Sequence, residues 1–227
     1  MSAVNAFTVK LISGTPEDAA PVRAEALRYM GYRGASPDAE TLRLIAECER
    51  ELAAAVKPVC CFAHAPLEIT ERGVDLGFGT IESRNLAKHL EGCTSAILFA
   101  ATIGIGADRL IAKYGRLKPA KSVVIDALGS SAAESWCDAA EKRVTGGSPH
   151  CSRFSPGYGD FALSHQIDFM RCLDMNRRLG ITLSDSLLMT PTKSVTAVIG
   201  IGAENKTCSG KCAFCGSKTC AFREDGK

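Results

Sequence analysis

The sequence has no apolar run long enough to cross a membrane, which argues against a membrane-spanning protein. An excess of one charge is also missing, because the formal net charge is only +2, and composition therefore does not indicate a nucleic-acid binder. The first ten residues lack the basic-then-apolar layout of a secretory signal, so we expect a cytoplasmic protein. What is present is ordinary globular composition, with 46% apolar and 23% charged residues.

Cysteine is abundant, with 11 residues in a chain of 227. The odd number and the missing secretory signal argue against a disulfide framework. Seven of them are scattered among apolar neighbours and are expected to be small core residues. These are Cys48, Cys60, Cys61, Cys93, Cys137, Cys151 and Cys172. The other four fall within the last twenty residues, and we expect two regions: a domain over 1–202 and a Cys-rich tail over 203–227.

Hydrophobic periodicity predicts an amphipathic helix over 37–56, with Ser36 as its N-cap. Glu47 and Glu51 are expected on its solvated side. A second helical pattern over 164–179 predicts one continuous helix.

Two segments have the character of strands. Residues 96–102 form a continuous apolar run of strand length, which is typical of a central strand. Residues 194–201 alternate in hydrophobicity with a period of two. Helices and strands therefore occur together in one chain.

The stretch from Arg153 to Asp160 reads RFSPGYGD and separates two helical segments. One Pro and two Gly in eight residues cannot continue a helix. Such an irregular segment, with a guanidinium, a Tyr and unpaired backbone groups, can hold a small polar ligand. The alternative is an ordinary connection between helices, in which Pro156-Gly157 is only a turn.

An Ala-rich helical pattern over 121–144 contains a zone of small residues that permits close approach of another element. Glu134 lies inside this zone. Its carboxylate is expected either on an exposed face or buried with a partner.

The four C-terminal cysteines have the spacing Cys208-x3-Cys212-x2-Cys215-x4-Cys220, with almost no apolar company. Iron–sulfur clusters of the 4Fe-4S type are held by closely spaced thiolates of this kind. Zinc is the main alternative, because four thiolates also satisfy a tetrahedron, although the usual longer spacer is missing. Redox-active thiols are the third possibility.

The first three of these cysteines also resemble the triad of radical S-adenosylmethionine enzymes. Their place near the end of the chain argues against that interpretation. The neighbouring lysines and arginine either favour an acidic electron-transfer partner or simply solvate the tail.

Five segments taken in order resemble the activation domain of cobalamin-dependent methionine synthase in a small stand-alone form. They are Leu27–Tyr32, Cys93–Gly104, Asp126–Glu134, Arg153–Tyr158 and Thr190–Thr196. The resemblance implies a single α+β domain with a curved, mainly antiparallel sheet packed by helices. It also implies a methyltransferase-system protein of methionine biosynthesis that binds S-adenosylmethionine and supports reductive methylation of cob(II)alamin.

The same resemblance implies roles for particular residues. Arg153 would bind the methionyl carboxylate of S-adenosylmethionine, and Ser155, Pro156 and Gly157 would offer backbone contacts. Tyr158 would line the site beside the ligand and the corrin. Glu134 would lie near the sulfonium, and the loop over 190–194 would face the cobalamin.

Two departures from the family matter. After Tyr158 this chain reads Gly-Asp-Phe-Ala rather than the family's Pro-Ala-Cys-Pro, and the family's large enzyme lacks a cysteine tail.

The cobalamin is expected on a partner, either a corrinoid protein or the catalytic modules of methionine synthase. Flavodoxin or ferredoxin are possible electron donors. The second hypothesis is a non-catalytic iron–sulfur or zinc accessory subunit of a corrinoid methyltransferase system.

Overall fold

A computed structural model describes residues 7–32 and 35–202 of the chain. The strands are β1 (Lys10–Ser13), β2 (Val59–Ala65), β3 (Glu68–Thr70), β4 (Gly73–Asp75), β5 (Thr80–Ile81), β6 (Ser95–Thr102), β7 (Thr182–Leu183), β8 (Met189–Thr190) and β9 (Ser194–Ile201). The α-helices are α1 (Arg23–Tyr29), α2 (Ala39–Ala55), α3 (Arg84–Leu90), α4 (Gly106–Leu117), α5 (Pro119–Thr145), α6 (Gln166–Leu173) and α7 (Met175–Leu179).

The principal sheet has four strands in the order β1-β2-β6-β9, and every pairing in it is antiparallel. Strands β3, β4 and β5 form a small second sheet, and β7 and β8 a two-stranded ribbon. The expectation of an α+β domain with a mainly antiparallel sheet is thus confirmed. Strand β6 is central, as its apolar sequence predicts, because β2 and β9 flank it.

Both faces of the principal sheet are buried. Ile97 and Phe99 of β6 alternate with Ala96 and Leu98, and the two pairs enter different cores. The first core packs the sheet against α2, α4 and α5, and the second against α3, α6 and α7. An antiparallel strand that is covered on both faces needs apolar residues at every position, which explains the uninterrupted run in β6.

The cysteines of this region are core residues, as expected. None forms a disulfide, and six of the seven are buried, with Cys93 partly exposed. Cys60 and Cys61 are neighbours on β2 and enter opposite cores. Burial raises the pKa of Cys61 to about 12, and it raises the pKa of Cys48 to about 11.

Two local predictions are wrong. The N-cap of α2 is Asp38 rather than Ser36, because the Asp38 carboxylate accepts a hydrogen bond from the Thr41 N–H at 2.7 Å. The expected continuous helix over 164–179 is broken at Asp174, which has a left-handed backbone with φ of 50°. A short polar Asp tolerates this conformation, and the break lets α6 and α7 both pack on the second core.

Across the part of the chain that the structure covers, no helix has both the length and the apolar character needed to span a bilayer.

Candidate functional site

The segment that enters the candidate loop is attached to the outer edge of β9. Phe154 and Val198 exchange two backbone hydrogen bonds of 2.9 Å, and Cys151 N–H donates to Gly200 O at 2.8 Å. The Phe154 ring is buried in the second core. The loop therefore begins as a short extension of the sheet, which fixes the backbone of Arg153.

Beyond Phe154 the loop closes on itself. The Tyr158 N–H donates to Ser155 O at 3.0 Å, and the Gly157 N–H donates to Phe161 O at 2.7 Å. Gly157 has φ of 95°, a conformation that favours glycine. Two backbone groups expected to contact a ligand are thus already bonded within the loop, and their ligand contacts stay a prediction.

The Arg153 side chain is directed towards three carboxylates of α5. Its Nη2 lies 3.1 Å from Glu134 Oε2 and 2.7 Å from Asp138 Oδ1, and its Nη1 donates to Glu141. The three acidic residues follow one another at helical spacings of four and three, so they share one face of α5. We call these four residues the arginine–carboxylate cluster.

Charge in this cluster is unbalanced. The Arg153 side chain is only 5% exposed, whereas Asp138 is 65% and Glu134 31% exposed. Burial opposes the charge on Arg153, but the interactions with Cys137 and with the Glu141 and Asp138 carboxylates outweigh it and raise the pKa of Arg153. One guanidinium faces three carboxylates, and His150 Nε2 also lies 3.3 Å from Glu141 Oε1, so the excess negative charge lies at the more exposed Glu134 and Asp138.

The sequence left open whether Glu134 is exposed or is buried with a partner. In the structure its carboxylate is half-buried and pairs with Arg153.

Close approach to α5 is also observed, since a Cβ at Gly129 would lie 3.2 Å from Lys193 Cε and 3.7 Å from Ala107 Cβ. The small residues of α5 therefore admit neighbouring elements, as their sequence predicts.

Tyr158 is held by a group of aromatic rings. Its ring centroid lies 5.9 Å from that of Phe154 in an edge-on arrangement, and Phe154 stacks on Phe161 at 6.3 Å. Tyr158 is 40% exposed, whereas Pro156 is buried. The structure thus joins Arg153 to Glu134 directly, and it links Tyr158 to them through the backbone of the loop.

Asp160 fastens the end of the loop to α3. Its carboxylate accepts hydrogen bonds from Ser83 Oγ at 2.5 Å, Arg84 N–H at 2.9 Å and Asn85 N–H at 3.1 Å. Ser83 in turn caps the helix through the Leu86 N–H. We call this set of contacts the Asp160 latch.

Burial disfavours the charged form of Asp160, but the hydrogen bonds from Ser83 and from the Asn85 and Arg84 N–H groups outweigh it and lower its pKa. A group whose pKa is lower in the folded state stabilises the fold above its ordinary value of 3.8. That contribution is lost as the pH falls through the lowered value.

The loop over 190–194 is fixed to α4 and α5. Lys193 Nζ donates to Asp126 Oδ1 at 2.7 Å and to Ser130 Oγ at 2.9 Å. The Thr192 N–H donates to Asp108 Oδ1 at 3.0 Å. Its implied role beside cobalamin stays a prediction.

Three polar residues of this region escaped the sequence reasoning: Asp138, Glu141 and Asp160. The first two carried a signal, since they follow Glu134 at intervals that return to the same helical face. No sequence signal pointed to Asp160, because its partners are distant in sequence, with separations of 77 residues for Ser83 and 75 for Asn85.

Two cavities lie outside the arginine–carboxylate cluster. One of about 590 Å³ is formed between α2 and the turn over 16–21. Another of about 320 Å³ adjoins Asp160 and is lined by charged residues that include Arg72 and Arg84. Neither is lined by Arg153, Glu134 or Tyr158.

The expected metal ligands, Cys208, Cys212, Cys215 and Cys220, lie outside the described residues. Within 7–32 and 35–202, no group of three His, Cys, Asp or Glu residues is suited to hold a metal ion.

A four-stranded antiparallel sheet with helices on both faces defines the class of domain, which is α+β. Among solved structures, the chain is similar to the crystal structure of the MetH reactivation domain bound to AdoHcy. The two share 13% identity with a TM-score of 0.62, and the match covers 89% of this chain and 81% of that one. The likeness shows that the chain has the fold of that domain, so the resemblance is confirmed at the level of fold. No family model and no curated protein sequence matches the chain.

The Asp160 latch generates a prediction about pH. Asp160→Asn should lower the free energy of unfolding by about 1 kcal/mol at pH 7, as loss of a helix-cap carboxylate does. The difference from the wild type should shrink between pH 5 and pH 3, because protonation removes the same charge from the wild type. Urea unfolding at several pH values measures this effect.

Asp185→Asn, at an exposed turn residue, is the matched control and should behave as the wild type at every pH. An equal loss of stability for Asp160→Asn at pH 3 and pH 7 would contradict the electrostatic role of the latch.

Proposed function

We propose that the protein binds S-adenosylmethionine through the arginine–carboxylate cluster and the loop over 153–158. In this proposal it is a reactivation factor that supports reductive methylation of cob(II)alamin on a corrinoid protein such as methionine synthase. The observation that carries the proposal is the likeness in fold to a reactivation domain whose structure holds AdoHcy. A buried arginine beside Glu134, in two of the segments that carry the sequence resemblance, supports it.

The charges of the cluster suit this ligand. S-adenosylmethionine carries a carboxylate, an ammonium and a sulfonium. Arg153 offers the planar fork that a carboxylate prefers, and Glu134 and Asp138 offer negative charge to the two cationic groups. The excess negative charge of the cluster therefore favours a ligand with a net positive charge.

Binding requires an exchange of partners at Arg153. Its Nη2 is shared by Glu134 and Asp138, so an incoming carboxylate must displace one of them. Asp138 is the more exposed of the two, so breaking its ion pair with Arg153 costs less free energy. We infer that the ligand carboxylate replaces Asp138 at Nη2 and that Asp138 then faces the ligand ammonium.

In this proposal the sulfonium supplies the methyl group, and the cobalamin of the partner accepts it after a one-electron reduction. The chain's own residues bind and orient the donor. Tyr158, exposed at the tip of the loop and braced by Phe154, would cover the ligand on the side that meets the partner. The electron would come from flavodoxin, from ferredoxin or through a cluster held by the tail.

One observation favours the second candidate, an iron–sulfur or zinc accessory subunit without catalysis. Protein carboxylates already occupy the Arg153 guanidinium from three directions. If these ion pairs do not open, the cluster is purely structural. Titration calorimetry separates the two candidates, since an accessory subunit gives no heat with S-adenosylmethionine.

The first prediction for the site concerns the guanidinium. Arg153→Lys keeps a cation among the carboxylates but loses the planar fork. We expect the Kd for S-adenosylmethionine to rise about thirtyfold, or about 2 kcal/mol, with the fold retained. Isothermal calorimetry measures the Kd, and circular dichroism verifies the fold.

Arg143→Lys is the matched control, because Arg143 lies on α5, the helix that carries the three carboxylates, and pairs with Asp18 away from the cluster. It should bind as the wild type does. An unchanged Kd for Arg153→Lys would rule out the role assigned to Arg153.

The second prediction concerns discrimination between S-adenosylmethionine and S-adenosylhomocysteine, which lacks the sulfonium charge. Glu134→Gln removes negative charge beside the ligand, so the ratio of the two affinities should fall about fivefold, or about 1 kcal/mol. Parallel calorimetric titrations measure the ratio. The exposed Glu40→Gln should leave it unchanged, and an unaltered ratio in Glu134→Gln would place the sulfonium elsewhere.

The third prediction concerns the tail. Protein prepared without oxygen should be brown and should contain iron and sulfide, as expected for a 4Fe-4S cluster on Cys208, Cys212, Cys215 and Cys220. Cys212→Ala should lose both, whereas Cys172→Ala, in the second core, should retain them. A colourless protein with one zinc per chain would instead support the zinc alternative.

A further inference from the structure

Two cysteines that are distant in sequence meet beside the candidate loop. Cys93 Sγ and Cys151 Sγ lie 3.6 Å apart, although 58 residues separate them. Cys93 lies in the turn between α3 and β6, and Cys151 lies two residues before Arg153. A disulfide bond is about 2 Å long, so a small rotation of the side chains would bring the sulfurs within bonding distance.

The end of β9 holds both cysteines in place. The Cys151 N–H donates to Gly200 O at 2.8 Å, and the Thr94 N–H donates to Ile201 O at 2.8 Å. Gly200 supplies the space, since a Cβ there would lie 2.5 Å from Cys93 Sγ. A side chain at Gly200 would push the Cys93 sulfur away, and its absence lets the two sulfurs meet.

We propose that Cys93 and Cys151 form a redox-active dithiol that closes into a disulfide on reaction with a low-molecular-weight disulfide. The two cysteines have different roles in this reaction because they differ in exposure to solvent. Cys93 is partly exposed and receives the reagent, whereas Cys151 is fully buried and reacts only with Cys93. This inference is independent of the function proposed above.

The reaction has two exchanges. The Cys93 thiol loses its proton to solvent, and its thiolate attacks one sulfur of the reagent, which breaks the reagent's S–S bond and releases one thiolate. Cys151 then loses its proton, and its sulfur attacks Cys93 Sγ in the mixed disulfide, releasing the second thiolate. The two cysteines lose two electrons and two protons, and the reagent leaves as two thiols.

Within residues 7–32 and 35–202, the other cysteines that adjoin in sequence lack this arrangement. Cys60 and Cys61 are adjacent in sequence, but they enter opposite cores of the sheet. Burial also raises the pKa of Cys61 to about 12, which leaves little thiolate. At Cys93 and Cys151 the two sulfur atoms lie close together, and Cys93 is partly accessible to solvent.

Closure would connect the end of α3 to the segment that leads into Arg153. Cys151 Sγ lies 3.3 Å from His89 O, and His89 Nε2 donates to Ser152 O at 2.7 Å. The His89 ring also packs against Phe154, with centroids 4.9 Å apart. A disulfide would therefore tighten a contact that already joins α3 to the loop.

The test treats the folded full-length protein with oxidised glutathione, followed by alkylation and peptide mapping by mass spectrometry. We expect a linked pair of peptides containing Cys93 and Cys151, with loss of two hydrogen atoms. Because the link constrains the unfolded chain, the melting temperature of the oxidised protein should rise by about 4 °C or more.

Variants assign the two roles. Cys151→Ser should retain glutathione on Cys93, and Cys93→Ser should leave Cys151 unmodified and abolish the rise in melting temperature. Cys172→Ser is the matched control and should still form the link. The proposal is overturned if wild-type Cys93 keeps glutathione, if it pairs with another cysteine, or if neither residue reacts in the folded protein.

Discussion

The antiparallel pairing of β6 with β9 is the constraint on which the remaining structure depends. Its register places Phe99 opposite Ala197 and Leu98 opposite Val198, so each cross-strand pair enters one of the two cores. A slip of one residue would exchange the two cores. The outer edge of β9 is covered by the segment that carries Arg153, through bridges at His150 and Phe154. The candidate site is thus built directly on the sheet.

This attachment explains how an irregular loop can hold a charged side chain in a defined place. Phe154 is anchored in the second core, and the preceding residue is directed towards α5. The carboxylates that meet it come from a helix that packs on the first core. The arginine–carboxylate cluster therefore joins elements from the two sides of the sheet. Such a cluster holds a stable arrangement because each of its partners is positioned by a separate core.

Much of this could be predicted from the sequence. The periodicity of β9 and the apolar run of β6 predicted the correct strands. The wrong or missing predictions concern either the local geometry of a helix or contacts between residues that are distant in sequence. Asp174 breaks a regular helical pattern because tertiary packing overrides periodicity, and periodicity alone does not contain that information.

Distant partners account for the other omissions. Glu47 and Glu51 look like solvent-facing residues, yet both contact the buried Lys121 at 2.5 Å, at sequence separations of 74 and 70 residues. The sequence singled out Arg153 and Tyr158 as candidates, but the carboxylates around Arg153 depend on how α5 packs. Pairings of this kind follow from the fold and not from the spacing of residues along the chain.

The Asp160 latch has a consequence for motion. Helix α3 has only seven residues, too few to be stable alone, and its first turn depends on an acceptor from the far end of the loop. Opening the loop would remove that acceptor, and fraying of the helix would release the loop. The two segments should therefore open and close as one cooperative unit, with a shared rate of amide hydrogen exchange.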